Sequence, residues 1–276
     1  MPGLETWDPQ TGFDKPVILV YGASGVGKTY WASSAPRPIF LDVERGMASI
    51  KREGVGRWEI NSVNDLRAAV KWLNAENFPD QTGYQTVVVD SLNEVQRLFN
   101  DHVLTLSPDA GRRPFDGQQM NQGDWGLALN MLEKFVRSLK TLDMSVVLLC
   151  GTSGVVGAEG KVEPALYGKN TVGMVARYMD VVGYMELRRN AEAKTTERVM
   201  SFELPTALSK DRSGALTRTV KDPTWDTLAA YWSPKQEEKE KQPRRTTRTE
   251  SANQGVSVDV DATAVPKPEA ALAASS

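Results

Sequence analysis

Gly22-Ala23-Ser24-Gly25-Val26-Gly27-Lys28-Thr29 is a complete GxxxxGK[ST] stretch, and the apolar run Val17-Ile18-Leu19-Val20 leads straight into it. A backbone that folds round a phosphate chain must turn tightly, approach the oxygens closely and point several N–H groups inward, and glycine permits that path. The stretch therefore predicts a nucleoside triphosphate site made by residues 22–29. Lys28 would reach the β- and γ-phosphates, the Thr29 hydroxyl would hold Mg²⁺, and a helix opening at Lys28 would turn its positive end toward the anion. The competing reading is a Gly-rich strand–helix turn.

Working outward from this loop, short apolar strands alternate with amphipathic stretches, the pattern of an α/β domain around a mainly parallel sheet. The expected strands are Val17–Val20, Ile39–Leu41, Thr86–Val89, Ser145–Leu149, Asp180–Met185 and Val199–Leu204. Ser62-Val63-Asn64-Asp65 reads as a capping box that starts a helix with Leu66, Val70 and Leu73 on one face. A second helix follows Asp90 and carries Val95, Leu98, Phe99 and Val103. A third is expected from about Asp124 to Leu142, with Trp125, Leu129, Leu132, Val136 and Leu139 as a core stripe. Two stretches, 107–123 and 152–171, are polar, Gly-containing and long for connections; such segments are commonly functional or mobile.

The chain has 276 residues and a formal net charge of −2, so bulk electrostatics announce neither a nucleic-acid nor a membrane partner. The single cysteine, Cys150, ends the apolar run Val146-Val147-Leu148-Leu149, which excludes a disulfide framework and Cys-based zinc sites. No secretory start and no span of 18 apolar residues is present, so a cytoplasmic protein without a membrane partner is expected. Large apolar residues almost vanish after Pro234. The expected organisation is an N-terminal extension over 1–14, one ATPase-type domain over 15–234 and a disordered tail over 235–276, in which Arg244, Arg245 and Arg248 precede an acidic end around Asp259 and Asp261.

Two acids follow apolar strands. Thr86-Val87-Val88-Val89-Asp90 ends in the carboxylate expected to hold the Mg²⁺ water shell, on a strand placed next to the phosphate loop. Pro38-Ile39-Phe40-Leu41-Asp42-Val43-Glu44 ends in acids spaced i, i+2, which an extended chain puts on one side. Glu44 is the candidate general base for an attacking water, with an exposed charged turn as its competing reading.

This ordered set resembles the RecA-like recombination ATPases. The chain size, Phe40-Leu41-Asp42-Val43-Glu44-Arg45-Gly46, Asp124-Trp125-Gly126 and Lys210-Asp211-Arg212-Ser213-Gly214 make it similar to the small phage-encoded RecA-like single-strand annealing proteins, over about residues 14–232. The resemblance implies a RecA-like P-loop fold, ATP on residues 22–29, Glu44 as catalytic glutamate, Asp90 on Mg²⁺, and Lys210 and Arg212 reaching the γ-phosphate of a neighbouring subunit. It further implies that the two polar stretches face single-stranded DNA, through Arg112, Arg113 and Phe115 in the first and Lys161, Tyr167 and Lys169 in the second. Cations with interleaved aromatics suit a single strand, whose backbone needs charge and whose bases need flat faces. A homo-oligomer, as a ring or short filament, and a single-strand-binding protein are the implied partners in a bacterial host. Where the wider family carries an amide or His sensor, this chain has Cys150-Gly151-Thr152-Ser153, leaving Thr152 as the candidate. Annealing fits better than strand invasion. The alternatives are a regulatory P-loop module acting on proteins and the motor domain of a helicase or packaging enzyme; DNA-stimulated ATPase activity and directional unwinding discriminate among the three.

Overall fold

The computed structural model describes residues 14–75, 78–106, 120–156, 161–190 and 194–232. In chain order the elements are β1 (Val17–Gly22), α1 (Lys28–Ala32), β2 (Pro38–Asp42), β3 (Gly56–Glu59), α2 (Val63–Leu73), α3 (Phe78–Thr82), β4 (Thr86–Asp90), α4 (Leu92–Leu106) and α5 (Gln122–Lys140). They continue with β5 (Ser145–Cys150), β6 (Thr152–Val156), β7 (Val162–Pro164), α6 (Thr171–Tyr178), β8 (Val181–Asn190), β9 (Thr195–Ser201), β10 (Lys210–Asp211), β11 (Thr219–Lys221) and α7 (Trp225–Trp232).

The main sheet runs β11-β9-β8-β1-β5-β4-β2-β3, with β10 on the edge of β8. From β3 to β8 every pairing is parallel; β9, β10 and β11 join antiparallel. The central strands are apolar without interruption because both faces are covered, and their alternate residues serve opposite cores. Leu19, Tyr21, Leu41, Val87, Val89, Val146 and Leu148 pack beneath α2, α4, α5 and α6, whereas Ile18, Val20, Phe40, Val88, Val147 and Leu149 pack with Trp31 of α1 and Trp225, Leu228 and Trp232 of α7. The expected α/β fold with a mainly parallel sheet is therefore present, and each expected strand exists with ends moved by a few residues.

Several details differ from the sequence reading. β5 lies between β1 and β4, so the Asp90 strand is one strand removed from the loop strand. β3 has no counterpart among the expected strands: it is a short edge strand whose residues are largely solvent-facing, so it carries no apolar run to reveal it. Part of the second polar stretch forms a bulged antiparallel ribbon, β6–β7, rather than irregular chain. Ser62 caps α2 by accepting from the Asp65 amide at 3.2 Å, but the Asp65 carboxylate takes the amide of Asn61 at 3.0 Å. α5 starts at an Asn121–Asp124 capping box, and its first turns overhang the core: burial begins at Ala128, leaving Trp125 41% exposed instead of in the core stripe. Cys150 is buried, as its run implies. Among the described residues, no helix is long and apolar enough to cross a membrane.

The register sets the carboxyl ends of the parallel strands in one row, with Asp42 beside Asp90 and Tyr21 beside Cys150. Ligands of open α/β sheets bind outside these ends. β1 and β8 come closest at Gly22, where an added Cβ would lie 2.1 Å from the Met185 carbonyl oxygen. Gly22→Ala is expected to destabilise the chain by at least about 1–3 kcal/mol, the cost of overpacking a rigid contact. Gly46→Ala, with no atom within 4 Å of the added carbon, should stay within about 0.5 kcal/mol of the parent. Urea unfolding of both variants checks the contrast.

Candidate nucleotide site

Beyond β1 the chain turns through Gly25 and Gly27, whose φ values of +76° and +99° fall where side chains with a Cβ are strained. The turn delivers Lys28 and Thr29 to the start of α1. The Lys28 ammonium donates to the carbonyls of Gly22 and Ala23, both at 3.0 Å, and so lies folded along the loop. Burial holds its pKa below the ordinary lysine value, while the charges of Glu44 and Asp90 pull it back up. That coupling puts both acids in electrostatic reach of the loop cation.

Asp90 is the junction of the site. Its carboxylate accepts the Thr29 hydroxyl at 2.7 Å, joining the last residue of the loop motif to the end of β4. Its carbonyl accepts the amides of Val43 at 2.8 Å and Glu44 at 3.0 Å, which fixes the turn after β2 against β4. The Asp90–Ser91 peptide is cis. Burial pushes the Asp90 pKa up to about 6; the Thr29 hydrogen bond opposes this rise, and the charges of Glu44 and Asp42 reinforce it. A carboxylate that shares its surroundings with two other acids is a place where a cation is welcome.

The two acids after β2 diverge, contrary to the shared face expected from their spacing. Asp42 is the last strand residue, fully buried, and accepts Arg57 Nε of β3 at 2.7 Å and the Gly46 amide at 3.3 Å. Glu44 lies past the strand in the turn, with its side chain in solvent. The chain curls there because Arg45 takes φ +59°, held by Asn61 at 2.5 Å and Glu59 at 3.4 Å. Asp42 thus shapes the turn that presents Glu44.

Thr29 Oγ1 and the Asp90 carboxylate are hard oxygen donors, and no set of three or more His, Cys, Asp or Glu side chains converges among the described residues. This suits Mg²⁺, which keeps several waters and takes one or two carboxylates together with phosphate oxygens, and argues against an all-protein metal cage.

The other expected residues lie apart. Lys210 donates to the carbonyls of Ala176 at 2.8 Å and Met179 at 2.6 Å, at the end of α6; Arg212 donates to Asp180 at 3.1 Å and the Arg177 carbonyl at 3.0 Å. They sit at the starting end of β8 and β1, while the phosphate loop leaves β1 at its far end. Burial and the Arg212 charge hold the Lys210 pKa below its ordinary value. Arg112, Arg113 and Phe115, and the tail arginines, fall outside the described residues. Lys161 precedes β7, and Lys169 is exposed just before α6. Tyr167 is 56% exposed, its backbone held by Gln96 through two 2.7 Å hydrogen bonds. The Thr152 hydroxyl donates to the Glu163 carbonyl within the ribbon at 3.2 Å.

Three arrangements are visible only in the fold, although Tyr167 itself is among the residues expected from the sequence. Arg57 anchors Asp42 from an unforeseen strand. Trp125 and Tyr167 line one cavity of about 160 Å³ with Gln96, Asn100 and Thr171. Arg198 of β9 donates Nε to the Val26 carbonyl at 2.7 Å and braces the phosphate loop from within the same chain.

The family model described as an AAA domain, AAA_24, matches residues 14–213. The SPbeta prophage-derived uncharacterized protein YorG of Bacillus subtilis (strain 168) is 27% identical over 133 residues, 46% of this chain and 38% of that protein; the chain thus aligns with well under half the length of this relative. Among solved structures, one described as an ATPase domain is 14% identical with a TM-score of 0.44, covering 75% of this chain and 81% of its own. A KaiC-like protein of Pyrococcus horikoshii OT3 is 14% identical with a TM-score of 0.38, covering 67% and 77%.

The Asp90 environment makes a signed prediction. Because its pKa is about 6 in the folded chain and 3.8 ordinarily, folding favours the protonated form. That stabilisation is complete below about pH 4 and is lost as pH rises through 6, a change of about 3 kcal/mol. In the absence of metal and nucleotide, Asp90→Asn should therefore gain stability relative to the parent as pH rises from 4 to 7. Thermal unfolding of both proteins across this range measures it; a constant difference would place the burial penalty elsewhere.

Proposed function

Because the chain belongs to the AAA_24 family of AAA domains, we propose that it is a Mg²⁺-dependent ATPase that binds single-stranded DNA and promotes annealing or recombination in a phage or prophage setting. The observation that carries the nucleotide half is the 2.7 Å Thr29–Asp90 contact at the carboxyl end of the sheet, with the Glu44 turn hung on the Asp90 carbonyl. Lys28 binds the phosphate chain and offsets its charge. Thr29 and Asp90 would hold Mg²⁺, whose positive charge would offset the negative charge that builds up on the phosphate during transfer. Glu44, exposed and free of the Arg57 pair that occupies Asp42, orients a water and takes its proton.

The DNA half rests on the aromatic surface beside this end of the sheet. Trp125 and Tyr167 are exposed at the rim of one cavity, next to Gln96 in the second turn of the helix that follows Asp90. Lys169 follows in the same segment, and flat rings with a nearby cation suit unstacked bases on a charged backbone. Arg112, Arg113 and Phe115 of the first polar stretch, which lies outside the described residues, are proposed as further contacts to the same strand. Lys210 and Arg212 are assigned to a neighbouring subunit's nucleotide in a ring or short filament; this requires them to leave the α6 carbonyls and Asp180.

The test is ATP turnover in Mg²⁺ with and without single-stranded DNA. Turnover should rise with DNA, vanish in Lys28→Ala, and fall at least about 100-fold in Glu44→Gln while nucleotide binding persists. DNA affinity should fall with salt, and Trp125→Ala and Tyr167→Ala should each weaken it by about 1–3 kcal/mol. Turnover indifferent to DNA would favour a regulatory module acting on protein partners.

A further inference from the structure

Tyr30 is the first side chain after the phosphate-loop motif and is 48% exposed. Two guanidinium groups from distant parts of the chain meet its ring. Arg52, eight residues beyond Glu44, lies 5.6 Å from the ring centroid, and Arg198 of β9 lies 5.8 Å from it. Arg198 is fixed in this place by its 2.7 Å bond to the Val26 carbonyl, and its guanidinium lies so near Gly27 that an added Cβ would come within 2.7 Å of Nε. Three flat groups from α1, the segment before β3, and β9 therefore gather beside the loop.

Their side of the loop matters. Asp90 and Glu44 belong to β4 and the turn after β2, which lie beyond β5 on one flank of β1. Arg198 belongs to β9, beyond β8 on the other flank. Arg52 reaches the same ring from the segment between β2 and β3, and a triphosphate whose terminal phosphate faced the acids would bring its nucleoside toward Tyr30 and Arg198. Rings and guanidinium planes grip a heterocycle by its faces. The guanidinium groups can only donate hydrogen bonds, and both purines offer the N7 acceptor, with O6 in addition on guanine.

We propose that Tyr30, Arg52 and Arg198 form the base site, that it selects purine over pyrimidine nucleoside triphosphates by stacking, and that it accepts GTP as well as ATP. This rests on the phosphate-loop reading of residues 22–29. Arg198 has a second role in it as a positioning residue, because the same guanidinium that faces the base braces the loop.

Calorimetric titration of the full chain in Mg²⁺ with ATP, GTP, CTP and inorganic tripolyphosphate tests the assignment. ATP and GTP should bind within about threefold of each other and CTP at least about fivefold more weakly, as loss of ring overlap requires. Tyr30→Ala should weaken ATP and GTP roughly 5- to 150-fold, the range of one base–aromatic stack, with tripolyphosphate affinity retained. Tyr30→Phe keeps the ring and should restore ATP affinity. Strong preference for ATP over GTP, or ATP affinity indifferent to Tyr30→Ala while tripolyphosphate still binds, would overturn the base site and leave the loop reading intact. Failure of the parent chain to bind tripolyphosphate would overturn both.

Discussion

A single buried carboxylate holds the site together. Asp90 ends β4 at 3% exposure, takes the Thr29 hydroxyl on its side chain, and takes the Val43 and Glu44 amides on its carbonyl. The phosphate loop, the proposed metal-side acid and the turn of the proposed base thus meet at one residue. A neutral apolar residue there would relieve the burial penalty and lose the side-chain connection to the loop. Burial disfavours the charged form of Asp90 and raises its pKa, a cost that a cation beside the carboxylate would offset.

The rest of the architecture serves that junction. Uninterrupted apolar strands allow helices on both faces, and their parallel register sets Gly22, Asp42 and Asp90 at one edge. Arg57 on the edge strand neutralises Asp42, so that of the paired acids only Glu44 remains available to solvent chemistry. On the other flank, Arg198 ties the loop to β9. Lys210 and Arg212 instead fasten the end of α6 to the start of β8, at the end of the sheet opposite the phosphate loop of their own chain.

What the sequence revealed follows from how local each signal is. The phosphate loop is contiguous, and the strands through Val87–Val89 and Val146–Leu149 are apolar runs buried on both faces, so all were legible. The Asp42–Glu44 pair is visible as a pattern, but the pattern assumes an extended chain through both residues, and the turn at Arg45 breaks it. β3 escapes because an edge strand of Gly, Arg, Trp and Glu carries its order in pairing with β2 rather than in its own composition. Trp125 keeps the helical spacing of a core residue, yet α5 outruns the core by its first turns, a length no periodicity reveals. Arg198 and Arg52 look like ordinary surface cations in the sequence; only the fold brings them to Tyr30.

The most direct measurement of the central claim is a crystal structure of the chain with Mg²⁺ and a non-hydrolysable ATP analogue. The account predicts the metal at about 2.1 Å from Thr29 Oγ1, with Asp90 now facing the metal and its waters in place of the direct 2.7 Å hydrogen bond to Thr29. It also predicts the Glu44 carboxylate toward the terminal phosphate. An analogue bound with the Thr29–Asp90 hydrogen bond intact, and the metal held elsewhere or by other residues, would contradict it.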